Sequence, residues 1–223
     1  MLNASRTIAF SLLTISACGA PRAEAQATAE YWKIPDVFPA SLAEADVVAN
    51  SYSPSTVQAV EQLDFVDNFY GPPYTGGGYF PQGVLFPGVA PIEGDASGEF
   101  FVFRVRGVVE IPATGQYTFG SNSDDGVRLR IGELSVLEHE MPIFEAYSTV
   151  KLAAGLHDLE VLYYGFIWAD QLEIYAQPGE FQQFDAGFRV IGDAGNGGLR
   201  FVPEPSALSL ILIGLAGTVG RRR

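Results

Sequence analysis

Two stretches of strict alternation fix what this chain can become. Phe101, Phe103 and Val105 alternate with Val102, Arg104 and Arg106, and Val127, Leu129 and Ile131 alternate with Arg128 and Arg130. Successive side chains of a β-strand point to opposite faces, so a period of two marks a half-buried strand. The apolar set faces inward, and Arg128 and Arg130 face out. Pro112-Ala-Thr-Gly115 reads as a turn, Tyr117-Thr-Phe119 opens the next strand, and Gly132-Glu133 turns the chain into Leu134-Ser-Val-Leu137. Further strands are expected at 147–152, 156–164 and 171–176. Short strands with frequent turn signals predict an all-β domain, an antiparallel β-sandwich or barrel with terminal targeting segments.

The flanks of this domain differ in character. Residues 26–54 are expected as an N-terminal extension, with one short helix over 41–50 whose N-cap is Ser41 and whose Glu44 stands three residues on. Residues 71–92 are rich in Gly, Pro and aromatics and read as a long loop. The β-domain is expected over 55–190 and a linker over 191–201.

Both ends read as addresses. Residues 1–25 carry Arg6, the apolar run Ile8 to Ala17 and the small-x-small pattern Ala23-Glu24-Ala25, which together predict a secretory signal peptide. Ile15-Ser16-Ala17-Cys18 also fits a loose lipoprotein box in which Cys18 would carry lipid. At the other end, Val202-Pro203-Glu204-Pro205 precedes the uncharged segment Ser206 to Gly220, and Arg221, Arg222 and Arg223 follow. As a helix that segment spans roughly 22 Å, short of the roughly 30 Å hydrocarbon core, and the arginines would stay cytoplasmic. The order Pro203-Glu204-Pro205, short apolar helix, arginines over 202–223 resembles the PEP-CTERM sorting signal of Gram-negative bacteria. That resemblance implies transient anchoring in the inner membrane, removal of the tail by an exosortase-like membrane sorting protease, and delivery to the cell surface or extracellular polysaccharide matrix.

Charge narrows the partners. Five of the 13 basic residues lie in the terminal segments, and only Glu24 and Glu204 of the 26 acids do, so residues 26–203 carry a net charge near −16. Such a surface repels phosphate backbones and argues against nucleic acid as a partner. Cys18 is the single cysteine, which excludes an internal disulfide or a cysteine-rich zinc site. No nucleophile elbow or phosphate-binding loop is present, so no catalytic residue is assigned. His157 reads as structural, and Glu138, Glu140 and Glu145 as a solvated acidic loop.

Three motifs in order carry a second resemblance. Gly115-Gln-Tyr117-Thr-Phe119, Ser123-Asp124-Asp125-Gly126-Val-Arg-Leu-Arg-Ile131 and Ala154-Gly155-Leu-His157-Asp-Leu-Glu-Val-Leu-Tyr163-Tyr164 resemble the signatures of the protective-antigen (PA-fourteen) domain family. The family implies a β-sandwich or barrel whose lectin-like members join paired aspartates by a cis peptide and chelate calcium, which then binds sugar hydroxyls. On that basis Asp124 and Asp125 are the expected metal ligands, with Asn122, Ser123 and Gly126 in the same loop. Adjacent carboxylates beside a flexible glycine also suit a hard cation that takes six to eight oxygens, although a solvated Asp-Asp-Gly turn has the same sequence. The later loop, Gly165-Phe-Ile-Trp168-Ala-Asp170, lacks the asparagine of the adhesins; Asp170 is expected to replace it and Trp168 to stack on a sugar face. Three readings stand: a calcium-assisted glycan-binding module, a structural or adhesive matrix protein, and an accessory module of a polysaccharide hydrolase.

The address readings generate a first prediction. Mass spectrometry of surface material is expected to find a chain lacking residues near both termini; recovery of intact 206–223 would leave only a plain membrane anchor.

Overall fold

The computed structural model describes residues 26–67, 78–80, 83–89, 100–140, 143–166 and 169–203. The signal peptide, most of the 71–92 loop, Trp168 and the tail from Glu204 onward, Pro205 and Arg221 to Arg223 included, lie outside them. Among the described residues no helix is long and apolar enough to cross a membrane.

Two sheets face each other. The first has the order β2 (Thr56–Val60), β1 (Ala27–Trp32), β5 (Phe101–Ile111), β10 (Gly155–Gly165), β7 (Val127–Ile131) and β8 (Leu134–His139), and β13 (Phe201–Val202) also pairs with β5. The second runs β4 (Val84–Leu85), β3 (Asp64–Val66), β11 (Gln171–Pro178), β6 (Gly115–Asp124) and β9 (Ile143–Leu152), with β12 (Arg189–Val190) on β11. Apart from the parallel β3–β4 pair, these strand pairs are antiparallel. The described residues form an all-β sandwich with one α-helix.

The alternation of the sequence sets the core. Phe101, Phe103 and Val105 of β5, Tyr117 and Phe119 of β6, Val127, Leu129 and Ile131 of β7, Val161 and Tyr163 of β10, and Leu172 and Ile174 of β11 all lie in one buried cluster between the sheets. Phe65, Phe86 and Phe103 form its aromatic centre, with ring centroids 4.9 to 5.5 Å apart. Each large side chain removed from water contributes about 1.5–3 kcal/mol.

The outer face of the first sheet is where the structure departs from expectation. Val102 is fully buried, Arg104 is 9% exposed, and Arg128, expected to face out, is only 7% exposed. The cause is α1 (Leu42–Ser51), which lies across this face. Its Leu42, Ala45, Val48 and Ala49 pack with Trp32, Val102, Leu162 and Tyr164. The arginines point outward as their strand phase requires, but into this contact. Arg128 meets Asp46 of the helix through two hydrogen bonds of 2.8 Å. Arg104 stacks over Trp32 at 5.0 Å and donates to Glu30. Ser41 Oγ accepts from the Glu44 amide as expected. Glu140, expected as a solvated loop acid, accepts from the Leu42 amide at 2.7 Å, where the positive end of the helix favours a carboxylate.

The expected domain edges shift accordingly. Residues 26–54 do not hang off the domain: β1 lies inside the sheet between β2 and β5, and α1 covers it. Residues 191–201 are not a free linker, since Leu63 donates to Ile191, Glu110 to Arg200, and Phe201 pairs with Val109.

Phe119 is fully buried in the central cluster. Phe119→Ala is expected to cost about 3–5 kcal/mol in urea unfolding, as aromatic deletions in cores do. A loss below about 1 kcal/mol would contradict the strand phase.

A candidate acidic binding rim

The residues singled out around the Asp-Asp pair divide between strand and rim. β11 pairs residue for residue with the end of β6, with Gln171 opposite Asp124, Leu172 opposite Ser123 and Glu173 opposite Asn122. That ladder keeps β6 extended as far as Asp124, so Asn122 and Ser123 are strand residues rather than loop donors. Both are buried, and the Asn122 Oδ1 already accepts from Gln171 at 2.7 Å. Ser123 Oγ is enclosed in the interior without a hydrogen-bond partner.

Asp124 and Asp125 stand where β6 ends, half-buried, and their peptide bond is cis. Gly126 follows because nothing larger fits. A Cβ there would lie 2.4 Å from the Tyr164 ring and 3.1 Å from the His139 carbonyl. Asp125 Oδ2 accepts from the Phe166 amide at 2.7 Å, which fastens the Asp-Asp turn to the segment after β10.

Asp170 lies behind the pair and is 2% exposed. Its Oδ1 is 2.9 Å from the Tyr163 hydroxyl, which also touches the Asp124 carbonyl, while its Oδ2 is buried with no partner. Asp67 joins it through a reciprocal pair: the Asp170 amide donates to Asp67 Oδ2 and the Asp67 amide to the Asp170 carbonyl, both at 3.0 Å. Burial pushes the Asp170 carboxyl well above the ordinary range, and Asp67, Asp125 and Asp124 add to the shift. Burial likewise raises Asp124, and raises Asp125 to about 6 against the opposing Phe166 hydrogen bond. Among the described residues no basic side chain acts on Asp124 or Asp125, and the groups that dominate at Asp170 are Tyr163 and three acids.

The structure thus brings Asp124, Asp125 and Asp170 into one neighbourhood without closing them into a cage. Among the described residues, no three His, Cys, Asp or Glu side chains are grouped to hold a metal ion. Asp170 is tied to Tyr163 in the interior rather than presented beside the pair. The oxygen-only chemistry of Asp124 and Asp125 suits a hard cation, while the partnerless Asp170 oxygen is enclosed in the interior behind them. Trp168 lies outside the described residues.

A family model for the PA14 domain matches residues 90–177. A PA14 domain is found over these residues. A PEP-CTERM protein-sorting motif matches residues 201–223, which indicates export and sorting to the cell envelope. The fold is similar to that of the PA14 sugar-binding domain from an RTX adhesin, with TM-score 0.52 and 18% identity over 73% of this chain and 96% of that one. It is similar also to the PA14 domain of the MpAFP antifreeze protein, with TM-score 0.57 and 11% identity over 82% and 94% of the two chains. The Epithelial Adhesin 9 A domain from Candida glabrata, solved with Galb1-4GlcNAc, gives TM-score 0.55 and 11% identity over 83% and 93%. No match was found among curated proteins.

Other residues of the PA14 domain find structural partners. The His157 ring lies 2.9 Å from the Ala153 carbonyl at the opposite end of β10, and the His139 ring lies 3.2 Å from Ser121 Oγ. Glu138 accepts from Ser135, and Glu145 from Tyr147.

Two acids that the sequence does not mark sit on the second sheet. Asp64 and Glu173 oppose each other across β3 and β11, both buried. Glu173 accepts from the Tyr79 and Phe80 amides at 2.9 Å, and its carboxyl lies 2.1 Å from where a Cβ of Gly78 would be. Asp64 Oδ1 has no hydrogen-bond partner, and burial with the nearby Glu173 charge pushes Asp64 up to about 7. Single acids flanked by apolar residues read as outward strand positions, which they are; the cover over them left no periodic signal.

Asp64 gives a signed pH prediction. Between the ordinary value of 3.8 and about 7 the folded chain holds a proton that the unfolded chain has lost, so stability rises as pH falls through that window and is lost as pH rises above it. Asp64→Asn removes this cost, and urea titration is expected to find it more stable than wild type by about 2–4 kcal/mol near pH 8 and no more stable near pH 4. Equal curves for the two proteins would refute the assignment.

Proposed function

We propose that this exported PA14 domain is a carbohydrate-binding module displayed at the cell surface or in the extracellular matrix of a Gram-negative bacterium, and that Asp124 and Asp125 hold a calcium ion at its binding rim. One observation carries the reading. Two half-buried carboxylates stand side by side, with the buried acids Asp67 and Asp170 behind them, and among the described residues no base acts on the pair. Like charges gathered in a low-dielectric site call for a compensating cation.

When bound, calcium supplies open coordination positions that vicinal sugar hydroxyls can fill. Everything else falls to this chain. The Phe166 amide orients Asp125, the closely packed Gly126 fixes the turn, and Tyr163 holds Asp170 away from solvent. The reading draws support from the RTX adhesin domain described as sugar-binding and from the adhesin solved with Galb1-4GlcNAc. Glycoside hydrolysis uses two carboxylates flanking the scissile bond, whereas Asp124 and Asp125 are consecutive on one turn, so a binding role suits them better than a catalytic one. An exosortase-like protease acting on the 201–223 motif would release the domain to the outside.

Calcium at a hundred times its dissociation constant is expected to raise the melting temperature by roughly 5–10 °C through binding to the folded state alone. Asp125→Ala is expected to abolish both this rise and chelator-sensitive binding on a glycan array. Absence of any calcium-dependent shift in wild-type protein would reject the metal site and favour the matrix-protein reading.

A further inference from the structure

Three of the seven large hydrophobic side chains exposed among the described residues gather in one place. Phe38, Val47 and Tyr52 are 57%, 60% and 48% exposed, and they line a groove of about 350 Å³ on the solvent side of α1 together with Val37 and Pro39. Scattered surface hydrophobics need no explanation, but a concave group of them marks a contact surface. The groove is also not isolated. The Phe38 ring meets Phe100 edge-on at 4.9 Å, Phe100 meets Phe166 edge-on at 5.0 Å, and the Phe166 amide is the donor that holds Asp125. Two ring contacts and one backbone hydrogen bond therefore connect the groove to the Asp124–Asp125 rim. Phe100 is fixed in this path by a backbone φ of +52°, and its amide donates to the Phe166 carbonyl.

We propose that the groove along α1 is a second subsite, which takes the further units of a neutral carbohydrate chain whose end is held at the Asp124–Asp125 rim. The proposal rests on the reading of that rim as a carbohydrate site. Aromatic and aliphatic walls with a phenol at one edge fit the C–H faces of sugar rings and leave their hydroxyls to water. The groove's charged members, Asp36 and Glu44, are both acidic, and no Lys or Arg lines it. It therefore disfavours uronate-rich or sulfated polymers and suits neutral ones. Residues 36–52 precede the 90–177 segment that matches the PA14 family, so this subsite belongs to the N-terminal part of this chain.

The test uses neutral β-linked galacto- and gluco-oligosaccharides, from monosaccharide to hexasaccharide, titrated calorimetrically into the domain in calcium. Wild type is expected to bind its preferred hexasaccharide about ten-fold tighter than the matching monosaccharide, a gain of about 1.4 kcal/mol. Phe38→Ala and Val47→Arg are expected to erase this gain and leave monosaccharide affinity unchanged. Phe38 is largely solvent-exposed, and arginine is the better helix former at the exposed Val47, so both variants keep the fold. A length gain that survives in both variants, or no length gain in wild type, overturns the second subsite while the rim reading stands. If no saccharide of the ladder binds wild type, both readings fall. A mass that drops from dimer to monomer in Phe38→Ala, with the length gain intact, would instead assign the groove to self-association and overturn the proposal.

Discussion

The ladder between β5 and β10 is the constraint on which the rest depends. It pairs every residue from Phe101 to Ile111 with one from Gly165 back to Gly155. On the inner face it sets Phe103 beside Tyr163 and Val105 beside Val161, the centre of the core. On the outer face it sets Val102 beside Tyr164 and Arg104 beside Leu162, the floor on which α1 rests. At its end, Phe101 opposite Gly165 delivers the chain to Phe166 and Asp170, and so to the acids of the rim. A slip of one residue would turn each of these side chains to the wrong face. Register here is thus a condition for the core, the helix contact and the site together.

The site and the fold obey opposite rules, and they meet at Tyr163. Its ring belongs to the apolar core, stacked on Phe86 at 5.3 Å, while its hydroxyl sits at Asp170. Burial that stabilises the ring is the same burial that destabilises a charged carboxylate. One hydroxyl does not satisfy two carboxylate oxygens, and the second oxygen of Asp170 stays without a partner. The sandwich therefore carries unfavourable electrostatics at this edge, as it does at Asp64 on the second sheet.

Much of this was legible in the sequence, for identifiable reasons. Alternation located the inward residues of β5 and β7, and turn residues bounded the strands between 101 and 178. Period two reports the face on which a side chain lies, not what covers that face. Arg128 was therefore read only as facing out, because the helix that buries it together with Arg104 is distant in sequence. β1 escaped for a similar reason: Ala27, Ala29 and Tyr31 do alternate inward, yet small residues give a weak apolar signal. At the rim, Asp124 and Asp125 stood out as an adjacent pair within a recognisable motif. Asp67 had neither neighbour nor motif, and its link to Asp170 is made mostly through backbone groups that any sequence would supply. Asn122 and Ser123 were placed in the loop since polar residues favour turns; the ladder with β11 overrode that preference.

The two described ends of the chain meet on one residue. Gly107 of β5 lies against both: a Cβ there would be 2.9 Å from the Cβ of Ala27 and 3.5 Å from the Phe201 ring. β1 and β13 thus occupy successive stretches of the same edge of β5, and the backbone enters and leaves the sandwich at nearly one point. Losing either strand would therefore bare part of the edge of β5, a row of unpaired backbone groups that invites pairing with another chain.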